Sequence, residues 1–513
     1  MRTFAAFLIL LTASFVAPAQ SYDSGHKPAA FNDPERLKRI EETYPAIDGI
    51  YRNWMTQNHI PGLAYGVIVD GKLVHTGSYG YTDIKKTTPV TPKSVFRIAS
   101  MSKSFTAMAI LALRDDGKLN LDDPVEQYIP EMKALKYVTK DSPPITIRHL
   151  LTHGSGFPED NPWGDRQLSD SDEELLKLIR ESPSMSNSPG INYEYANLGF
   201  ALLGRIITVV SKKPYQQYIR EKVWTPLGMN STYWEYSDVP EGRLAHGYRW
   251  IYEDWSEEEL LHDKADGSWG AMGGMLTSIE DFSSYAGFHI SSWPPSNEDE
   301  SGPIRRSSVR EMHMPWRISG FLPNFAYGER KCAAFTAYAY GLNYLRDCDS
   351  RIYVGHSGGL PGFGSQWRFL PEYGIGIVAF ANRTYSPVAA VNLEVLDKIL
   401  TSARLSPRTL PPSEILKRRQ AELVSIILEN DWEKAEKSGI FAENFFPDYR
   451  ADILKKNFAE KFAEVGEFVK ATNLRAENQL RGTFTIECKN GKFDVWFSMS
   501  PENPPLIQAI AIR

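Results

Sequence analysis

The sequence predicts a mixed fold of the α+β or α/β class, in which helices flank an antiparallel sheet and a mainly helical region interrupts that sheet. Three observations favour this fold. Apolar and polar residues alternate along residues 63–81, the pattern is mostly helical from there to about residue 290, and strand-like runs return between residues 340 and 381. A Pro-rich stretch at residues 405–412 then precedes a separate set of helix and strand patterns.

The N-terminus, residues 1–19, has the pattern of a secretory signal peptide. Arg2 is followed by an apolar run over residues 4–16 and then by Ala-Pro-Ala at residues 17–19. This run is too short to cross a bilayer core of ~30 Å as a helix, and no later segment has the ~20 uncharged apolar residues of a membrane span. We therefore expect an exported protein, periplasmic or secreted, with no stable membrane anchor after signal cleavage.

The predicted catalytic unit spans residues 20–404. Residues 63–81 are predicted to form two antiparallel strands joined at Gly71-Lys72, and residues 100–113 have the apolar spacing of a buried helix that ends near Gly117. Further helices are predicted at residues 145–151, 175–180, 198–210 and 215–223, and further strands at residues 340–345, 351–354, 366–370 and 375–381. We expect the early and late strands to share one sheet.

Residues 405–412 are predicted to be a linker, and residues 413–513 a small α+β accessory domain. Two amphipathic helix patterns cover residues 413–429 and 451–465. Two alternating runs follow at residues 483–488 and 493–498, and Asn490-Gly491 between them is a strong hairpin signal.

Composition and charge exclude several classes of function. The chain has 57 Lys and Arg against 63 Asp and Glu, a net charge of −6, which gives no support for nucleic-acid binding. Its three cysteines, Cys332, Cys348 and Cys488, lack the spacing of a metal site. Since an exported protein can form disulfides, Cys332 and Cys348 are a possible pair, which would leave Cys488 as a buried thiol. Neither a metal nor a cofactor is predicted.

The sharpest chemical motif is Ser100-Met101-Ser102-Lys103. A serine and a lysine three residues apart at the start of a helix lie on one face, within side-chain reach of each other. A serine hydroxyl needs an adjacent base to act as a nucleophile, and a lysine can be that base when burial or a nearby cation lowers its pKa. The motif alone is weak, because an N-cap serine beside a surface lysine has the same pattern.

Two further motifs strengthen this interpretation. Tyr195-Ala196-Asn197 offers a phenol for proton transfer, if nearby cations lower its pKa, and an amide that can donate to a substrate carbonyl. Gly355-His356-Ser357-Gly358-Gly359, predicted to lie just after a strand, offers a polar side chain followed by glycines. Such glycines allow a substrate to approach the backbone, and a backbone N–H there can serve in an oxyanion hole.

With these motifs in this order, the sequence resembles the superfamily of serine β-lactamases and penicillin-binding proteins. The branch it is most similar to contains class C β-lactamases, D-aminopeptidases, carboxypeptidases and related esterases. The resemblance covers about residues 61–382 and includes residues 96–100 (Phe-Arg-Ile-Ala-Ser), 147–156, 226–229 (Pro-Leu-Gly-Met) and 273–275 (Gly-Gly-Met). It implies the β-lactamase/transpeptidase-like fold.

The resemblance also implies the catalytic roles. Ser100 would attack a carbonyl and become acylated, while Lys103 and Tyr195 would share proton transfer. The oxyanion hole would consist of the backbone N–H groups of Ser100 and Gly359.

For substrate binding, the resemblance implies Asn197, His356 and Gly358. Here Tyr-Ala-Asn stands in place of Ser-Asp-Asn, and His-Ser-Gly stands in place of Lys-Thr-Gly. Members that bind the penicillin carboxylate well usually have the lysine, and a histidine is largely neutral near pH 7 unless its pKa is raised. This difference favours an esterase or a peptidase over a β-lactamase.

Other interpretations of single motifs are weaker. Residues 355–359 also match the Gly-x-Ser-x-Gly elbow of α/β-hydrolases, but that fold needs a histidine after the serine, and His356 is the last histidine of the chain. His149 and His153 have a zinc-like spacing, but the glutamate of His-Glu-x-x-His is missing.

We predict an exported serine hydrolase that cleaves an ester or amide bond in a small molecule or peptide. The alternatives are a D-amino-acid-specific peptidase or carboxypeptidase, a β-lactamase, and a penicillin-binding-type sensor without turnover. The sequence leaves the oligomeric state open.

Overall fold

A computed structural model describes residues 25–258, 267–327 and 330–513. The predicted signal peptide, residues 1–19, lies outside the described residues. The chain divides into two compact units, one of Ala29–Thr409 and one that contains Leu410–Arg513. In the described part of the chain, no helix has both the length and the apolar character that a membrane span requires.

The described residues of the first unit form sixteen strands. In chain order they are β1 (Gly62–Val69), β2 (Lys72–Asp83), β3 (Thr88–Pro89), β4 (Phe96–Arg97), β5 (Thr232–Tyr233), β6 (Tyr248–Ile251), β7 (Asp254–Glu257), β8 (Leu276–Thr277), β9 (Arg317–Leu322), β10 (Ala326–Tyr327), β11 (Arg330–Lys331), β12 (Ala334–Tyr338), β13 (Asn343–Asp347), β14 (Ile352–Leu360), β15 (Phe363–Leu370) and β16 (Ile375–Ala381).

Its α-helices lie mostly between the early and the late strands. They are α1 (Arg36–Glu41), α2 (Tyr44–Gln57), α3 (Ser102–Asp115), α4 (Ile147–Leu151), α5 (Asp172–Arg180), α6 (Asn197–Ser211), α7 (Tyr215–Ile219), α8 (Gly270–Gly273), α9 (Ile279–Ser291), α10 (Arg306–Met312) and α11 (Val388–Ser402). A short 3-10 helix, Ala99–Met101, immediately precedes α3.

Nine strands form one sheet in the order β3-β2-β1-β16-β15-β14-β13-β12-β9. β1 is antiparallel to β16, with Leu63 opposite Ala381, so the early and late strands share a sheet as predicted. The β1–β2 turn consists of Asp70 and Gly71, both at positive φ, as a tight hairpin turn requires. The chain therefore has the predicted β-lactamase/transpeptidase-like fold, with an antiparallel sheet and an inserted helical region.

The sheet separates two hydrophobic cores. One core lies on the face that packs against α2 and α11 and includes Tyr51, Tyr65 and Leu396. The larger core lies on the opposite face, where the inserted helices bury residues such as Phe105 and Trp367. From Ser102 to Leu113, every residue of α3 is buried, so this helix lies inside the larger core.

Three predicted boundaries were wrong. The α-helix predicted from residue 100 begins at Ser102, because Ser100 belongs to the 3-10 helix before it. The strand predicted at residues 340–345 is the end of a hairpin: β12 stops at Tyr338 and β13 begins at Asn343. β14 continues through residues 355–359, which had been predicted to follow a strand.

The structure contains a disulfide between Cys332 and Cys348, with the two Cα atoms 5.6 Å apart. These cysteines flank the β12–β13 hairpin, whose Ala334 lies opposite Asp347. The bond therefore closes the open end of this hairpin at the side of the sheet where β9, β12 and β13 lie.

From Leu410 to Arg513, the second unit has one antiparallel sheet and four α-helices. The sheet has the order β17-β18-β19-β20, and the Asn490-Gly491 hairpin joins β18 to β19. Cys488 is a buried free thiol at the end of β18. The strands are β17 (Phe468–Asn478), β18 (Arg481–Cys488), β19 (Lys492–Met499) and β20 (Ile507–Ile512), and the helices are α12 (Glu414–Glu429), α13 (Trp432–Ala435), α14 (Phe445–Asp448) and α15 (Ala451–Val465).

Two buried histidines in the larger core are held in the neutral form. The indole N–H of Trp293 donates to Nδ1 of His313 at 2.8 Å, so Nε2 of His313 carries a proton and donates to Nδ1 of His289, also at 2.8 Å. Burial lowers the pKa of His289 to about 3 and lowers the pKa of His313 well below its usual value.

We expect these histidines to make the first unit sensitive to acid. Below pH ~6.5 they bind protons in the unfolded chain but stay neutral in the folded one. Their contribution to the free energy of unfolding is therefore fully present above that pH and is lost as the pH falls. Each contributes up to about 1.4 kcal/mol per pH unit. His289→Asn should reduce the slope of unfolding free energy between pH 6.5 and 5, and the exposed His59→Asn should not. Equal slopes in the two variants would contradict this assignment.

Candidate active site

A cleft of about 530 Å³ brings together residues from six separate stretches of the first unit. Ser100, Tyr195 and the His356–Gly359 segment of β14 all line it, as the sequence motifs led us to expect. The lining residues are Ser100, Asn161, Pro162, Asp165, Tyr195, Asn343, His356, Ser357, Gly358, Gly359, Tyr385 and Ser386.

The backbone is strained just before Ser100. Ala99 has φ of +50°, a left-handed conformation that non-glycine residues rarely adopt. Ser102 holds this turn, because its hydroxyl donates to the Ala99 carbonyl at 2.7 Å and accepts from the Met275 N–H at 3.2 Å. Strain of this kind persists where the surrounding structure fixes it, often at functional sites. Here it sets the position of the Ser100 side chain.

Lys103 is completely buried, and its amine has three polar partners. Nζ lies 3.0 Å from Oγ of Ser100, 2.7 Å from Oδ1 of Asn197 and 2.9 Å from the carbonyl oxygen of Met272. The last two oxygens only accept hydrogen bonds. When the amine is neutral, its two hydrogens therefore satisfy these oxygens, and its lone pair is directed at the Ser100 hydroxyl.

The surroundings of Lys103 favour this neutral form. Burial lowers the pKa of its amine to about 7, although the carboxylates of Asp160 and Asp165 raise it in part. A substantial fraction of the amine is then unprotonated at neutral pH and can accept a proton.

Asp160 and Asn161 fix the position of Asn197. The Asp160 carboxylate accepts the N–H groups of Asn197 and Leu198, at 2.7 and 2.8 Å, and so caps α6. The Asn197 amide then donates to Oδ1 of Asn161 at 2.8 Å while its oxygen accepts from Lys103. Asn197 is fully buried and is not part of the cleft lining. Its side-chain contacts in this structure are with Lys103 and with Asn161, and of these two residues only Asn161 lines the cleft.

Tyr195 lines the cleft together with Ser100, but the pKa of its hydroxyl is not lowered. Burial raises the pKa of Tyr195 well above its usual value, even though a hydrogen bond with Ser100 lowers it. Nζ of Lys103 lies 4.9 Å from the centre of the Tyr195 ring. The sequence motif offered a phenol whose pKa would be lowered by nearby cations. The structure instead holds a protonated phenol, because burial raises its pKa and Asp160 and Asp165 raise it further.

His356 is neutral, and both of its ring nitrogens have protein partners. Nδ1 donates to the Ser357 carbonyl at 2.5 Å, so Nε2 must accept, and it does so from the Tyr338 hydroxyl at 2.8 Å. Burial and the nearby Lys103 lower the pKa of His356 to about 3. No ring nitrogen is left to bind a substrate charge in this conformation.

Gly358 allows β14 to lie directly against the turn that carries the nucleophile. A Cβ atom on Gly358 would lie 2.1 Å from the carbonyl oxygen of Ile98 and 2.3 Å from Oγ of Ser365. That Oγ already donates to the same Ile98 carbonyl, at 2.7 Å. β13 pairs with β14 only as far as Gly355, so the segment that contains Gly358 and Gly359 extends beyond β13 along the cleft.

Several residues of the site are not among the catalytic or substrate-binding residues predicted from the sequence. Asp165 is buried in the cleft wall and accepts from the Tyr385 hydroxyl at 2.9 Å. Burial raises the pKa of Asp165. His153 packs its ring 4.2 Å from the Tyr195 ring and accepts the Ala196 N–H at Nδ1. Asp165 lies in a short 3-10 helix, Gly164–Arg166, and Tyr385 lies in a turn, and segments this short have no periodicity that could identify them. Among the described residues, no group of three or more His, Cys, Asp or Glu side chains could hold a metal ion.

Comparison with known proteins shows which family and which relatives the chain matches. The family model described as Beta-lactamase matches residues 39–400. Protein flp of Staphylococcus aureus is 30% identical over 339 residues, which are 66% of this chain and 62% of that protein. The chain thus aligns with somewhat less than two thirds of the length of this curated relative.

Two solved structures are similar in fold. One is an octameric penicillin-binding protein homologue from Pyrococcus abyssi, with a TM-score of 0.59 and 22% identity over 90% of this chain and 91% of that one. The other is a penicillin-binding protein from Bacillus halodurans, with a TM-score of 0.53 and 22% identity over 69% of this chain and 99% of that one.

The Gly358 contact gives a direct test of how β14 meets the nucleophile. We expect Gly358→Ala to displace β14 from the Ile98 carbonyl, to destabilise the first unit by about 1–3 kcal/mol, and to reduce labelling of Ser100 by an activated ester at least ~10-fold. The matched control is Gly320→Ala on β9, where the nearest atom would be 3.5 Å away. Unchanged labelling of the Gly358→Ala variant would contradict this role.

Proposed function

The chain belongs to the Beta-lactamase family, and we propose that it is an exported serine hydrolase that forms an acyl-enzyme on Ser100 while cleaving an ester or amide bond. One observation carries this proposal: the buried Lys103 amine lies 3.0 Å from the Ser100 hydroxyl, and its other two partners are acceptors. This arrangement makes the lysine a base for that hydroxyl.

In the acylation step, Oγ of Ser100 bonds to the substrate carbonyl carbon as its proton passes to Nζ of Lys103. The electron pair of the carbonyl double bond moves to the carbonyl oxygen. The backbone N–H groups of Ser100 and Gly359 would stabilise this oxyanion. Ser100 lies in the first turn of a helical segment, where N–H groups have no partner within the helix.

Collapse of the tetrahedral intermediate breaks the bond to the leaving group, which must gain a proton. Tyr195 is suited to supply it, because burial keeps its hydroxyl protonated and it lines the cleft together with Ser100. The protonated Lys103 can then return a proton towards Tyr195. Water releases the acyl group by the same steps in reverse, which regenerates Ser100.

The charge of the cleft supports an ester or an amide substrate over a penicillin. Its lining residues include no lysine or arginine, and His356 is neutral with both nitrogens engaged. Asp165 is the one acidic side chain of the lining. A substrate carboxylate would therefore lose its hydration without gaining a cationic partner.

Export is supported by two features of different kinds. Residues 1–19 have the composition of a signal peptide, and the Cys332–Cys348 disulfide suits an oxidising compartment.

The test is intact-mass measurement after exposure to an activated ester, a fluorophosphonate and a penicillin. We expect the first two to add one covalent group to the wild-type protein and none to Ser100→Ala, with the penicillin reacting at least ~10-fold more slowly. The wild-type protein should also turn over p-nitrophenyl esters, and Ser100→Ala should not.

Equal labelling of Ser100→Ala, or no labelling by any reagent, would refute the acyl-enzyme. A stable adduct that is never released would indicate a sensor without turnover.

The pKa of Lys103 predicts the pH dependence of acylation. Because the base must be unprotonated, the rate should be low in acid, rise through pH ~7, and level off above it. Lys103→Met preserves volume but removes the base, so we expect a loss of ~10²-fold or more and no inflection near pH 7. Pre-steady-state release of p-nitrophenol measures both quantities. A wild-type profile that is flat from pH 5.5 to 8.5 would contradict this role for Lys103.

A further inference from the structure

A second cavity, of about 640 Å³, lies on the other side of the large sheet from α3. Its walls come from α11, from β9, β12 and β13, and from the segment around Phe325. Asn343, at the start of β13, lines both this cavity and the catalytic cleft. The cavity and the cleft are therefore neighbours that share Asn343, and their other lining residues differ.

The walls of this cavity are mainly apolar. Leu322, Phe325, Leu345, Val391 and Leu393 all contribute to the lining. The volume falls within the range of small-molecule sites, and such a lining favours an aliphatic or aromatic group over water.

One cation, Arg368, lines this cavity and lacks an acidic partner. It projects from β15, and no carboxylate in the described parts of the chain forms an ion pair with it. The Gln366 amide lies 2.9 Å from its Nε, while its Nη1 is buried without any hydrogen-bond partner.

Among the described residues, neither Asp347 nor Glu394 forms an ion pair with Arg368. Asp347 lies 3.3 Å from Arg330, and Glu394 is an exposed residue of the lining. Burial lowers the pKa of Arg368 only to about 10, so it remains a cation at neutral pH. A buried cation without an anion is costly, and a bound anion would remove that cost.

We propose that this cavity binds an amphiphilic carboxylate, with the carboxylate on the Arg368 guanidinium and the hydrocarbon chain against the apolar walls. A guanidinium matches the planar geometry of a carboxylate. Binding at this site does not require acylation of Ser100, so this proposal is tested independently of the hydrolase reaction.

Calorimetric titration of the full-length chain with decanoate tests the proposal. We expect wild type and Ser100→Ala to bind it with equal affinity, and octanol, decylammonium or inorganic phosphate to bind at least 10-fold more weakly. Arg368→Met should weaken decanoate binding at least 10-fold. The matched control Arg346→Met, which removes an exposed arginine of β13, should not.

The unliganded Arg368→Met protein should unfold at a temperature no lower than wild type, because it loses an uncompensated buried charge. If that variant does not fold, Ala390→Trp, at an exposed position of the lining, should block the cavity and abolish binding instead. The proposal is overturned if decanoate fails to bind, if decylammonium or phosphate binds as well, or if neither variant weakens binding. Loss of binding in Ser100→Ala alone would place decanoate in the cleft and overturn it as well.

Discussion

The burial of a single amine, that of Lys103, is the constraint on which the active site depends. An ammonium ion in the middle of a protein is unfavourable, so burial lowers the pKa of Lys103 to about 7 and the amine loses its proton near neutral pH. Three helices meet around this amine: α3 supplies the lysine, α6 supplies the Asn197 oxygen, and α8 supplies the Met272 carbonyl. Much of the inserted helical region can be understood as the packing that keeps these elements in place and water away.

The sequence predicted the elements that have strong local patterns. The β1–β2 hairpin, the buried helix after Ser100, and the Asn490-Gly491 hairpin each follow from periodicity or turn chemistry, and the structure contains all three. It also predicted which residues would be brought together, because Ser100, Lys103 and Tyr195 belong to recognisable motifs. Residue spacing could not reveal that His356 would be neutral, since that depends on the distant Tyr338 hydroxyl. Nor could it identify Asp165, which lies in a short 3-10 helix without a recognisable sequence pattern.

The site also shows how charge is arranged around a neutral reaction centre. Histidine replaces lysine in the third motif, and burial removes even the partial charge that histidine could carry. Two carboxylates, Asp160 and Asp165, then oppose the loss of charge on Lys103 without preventing it. Activation of the proposed nucleophile, Ser100, would then rely on desolvation and alignment, since the described lining of the cleft has no lysine or arginine. Recognition of substrate must therefore come from shape and hydrogen bonding more than from charge.

The wide separation in sequence between Lys103 and Asn197 has a consequence for anyone who would take this protein apart. The two residues are 94 positions apart, yet their side chains touch within the core. A chain cut in a surface loop between them would give two fragments, each holding half of one proton-transfer apparatus. Neither half could form an aligned base by itself, and only reassembly would restore it. With the proposed hydrolysis as its signal, this topology makes the first unit a natural basis for a split reporter that registers the meeting of two fused partners.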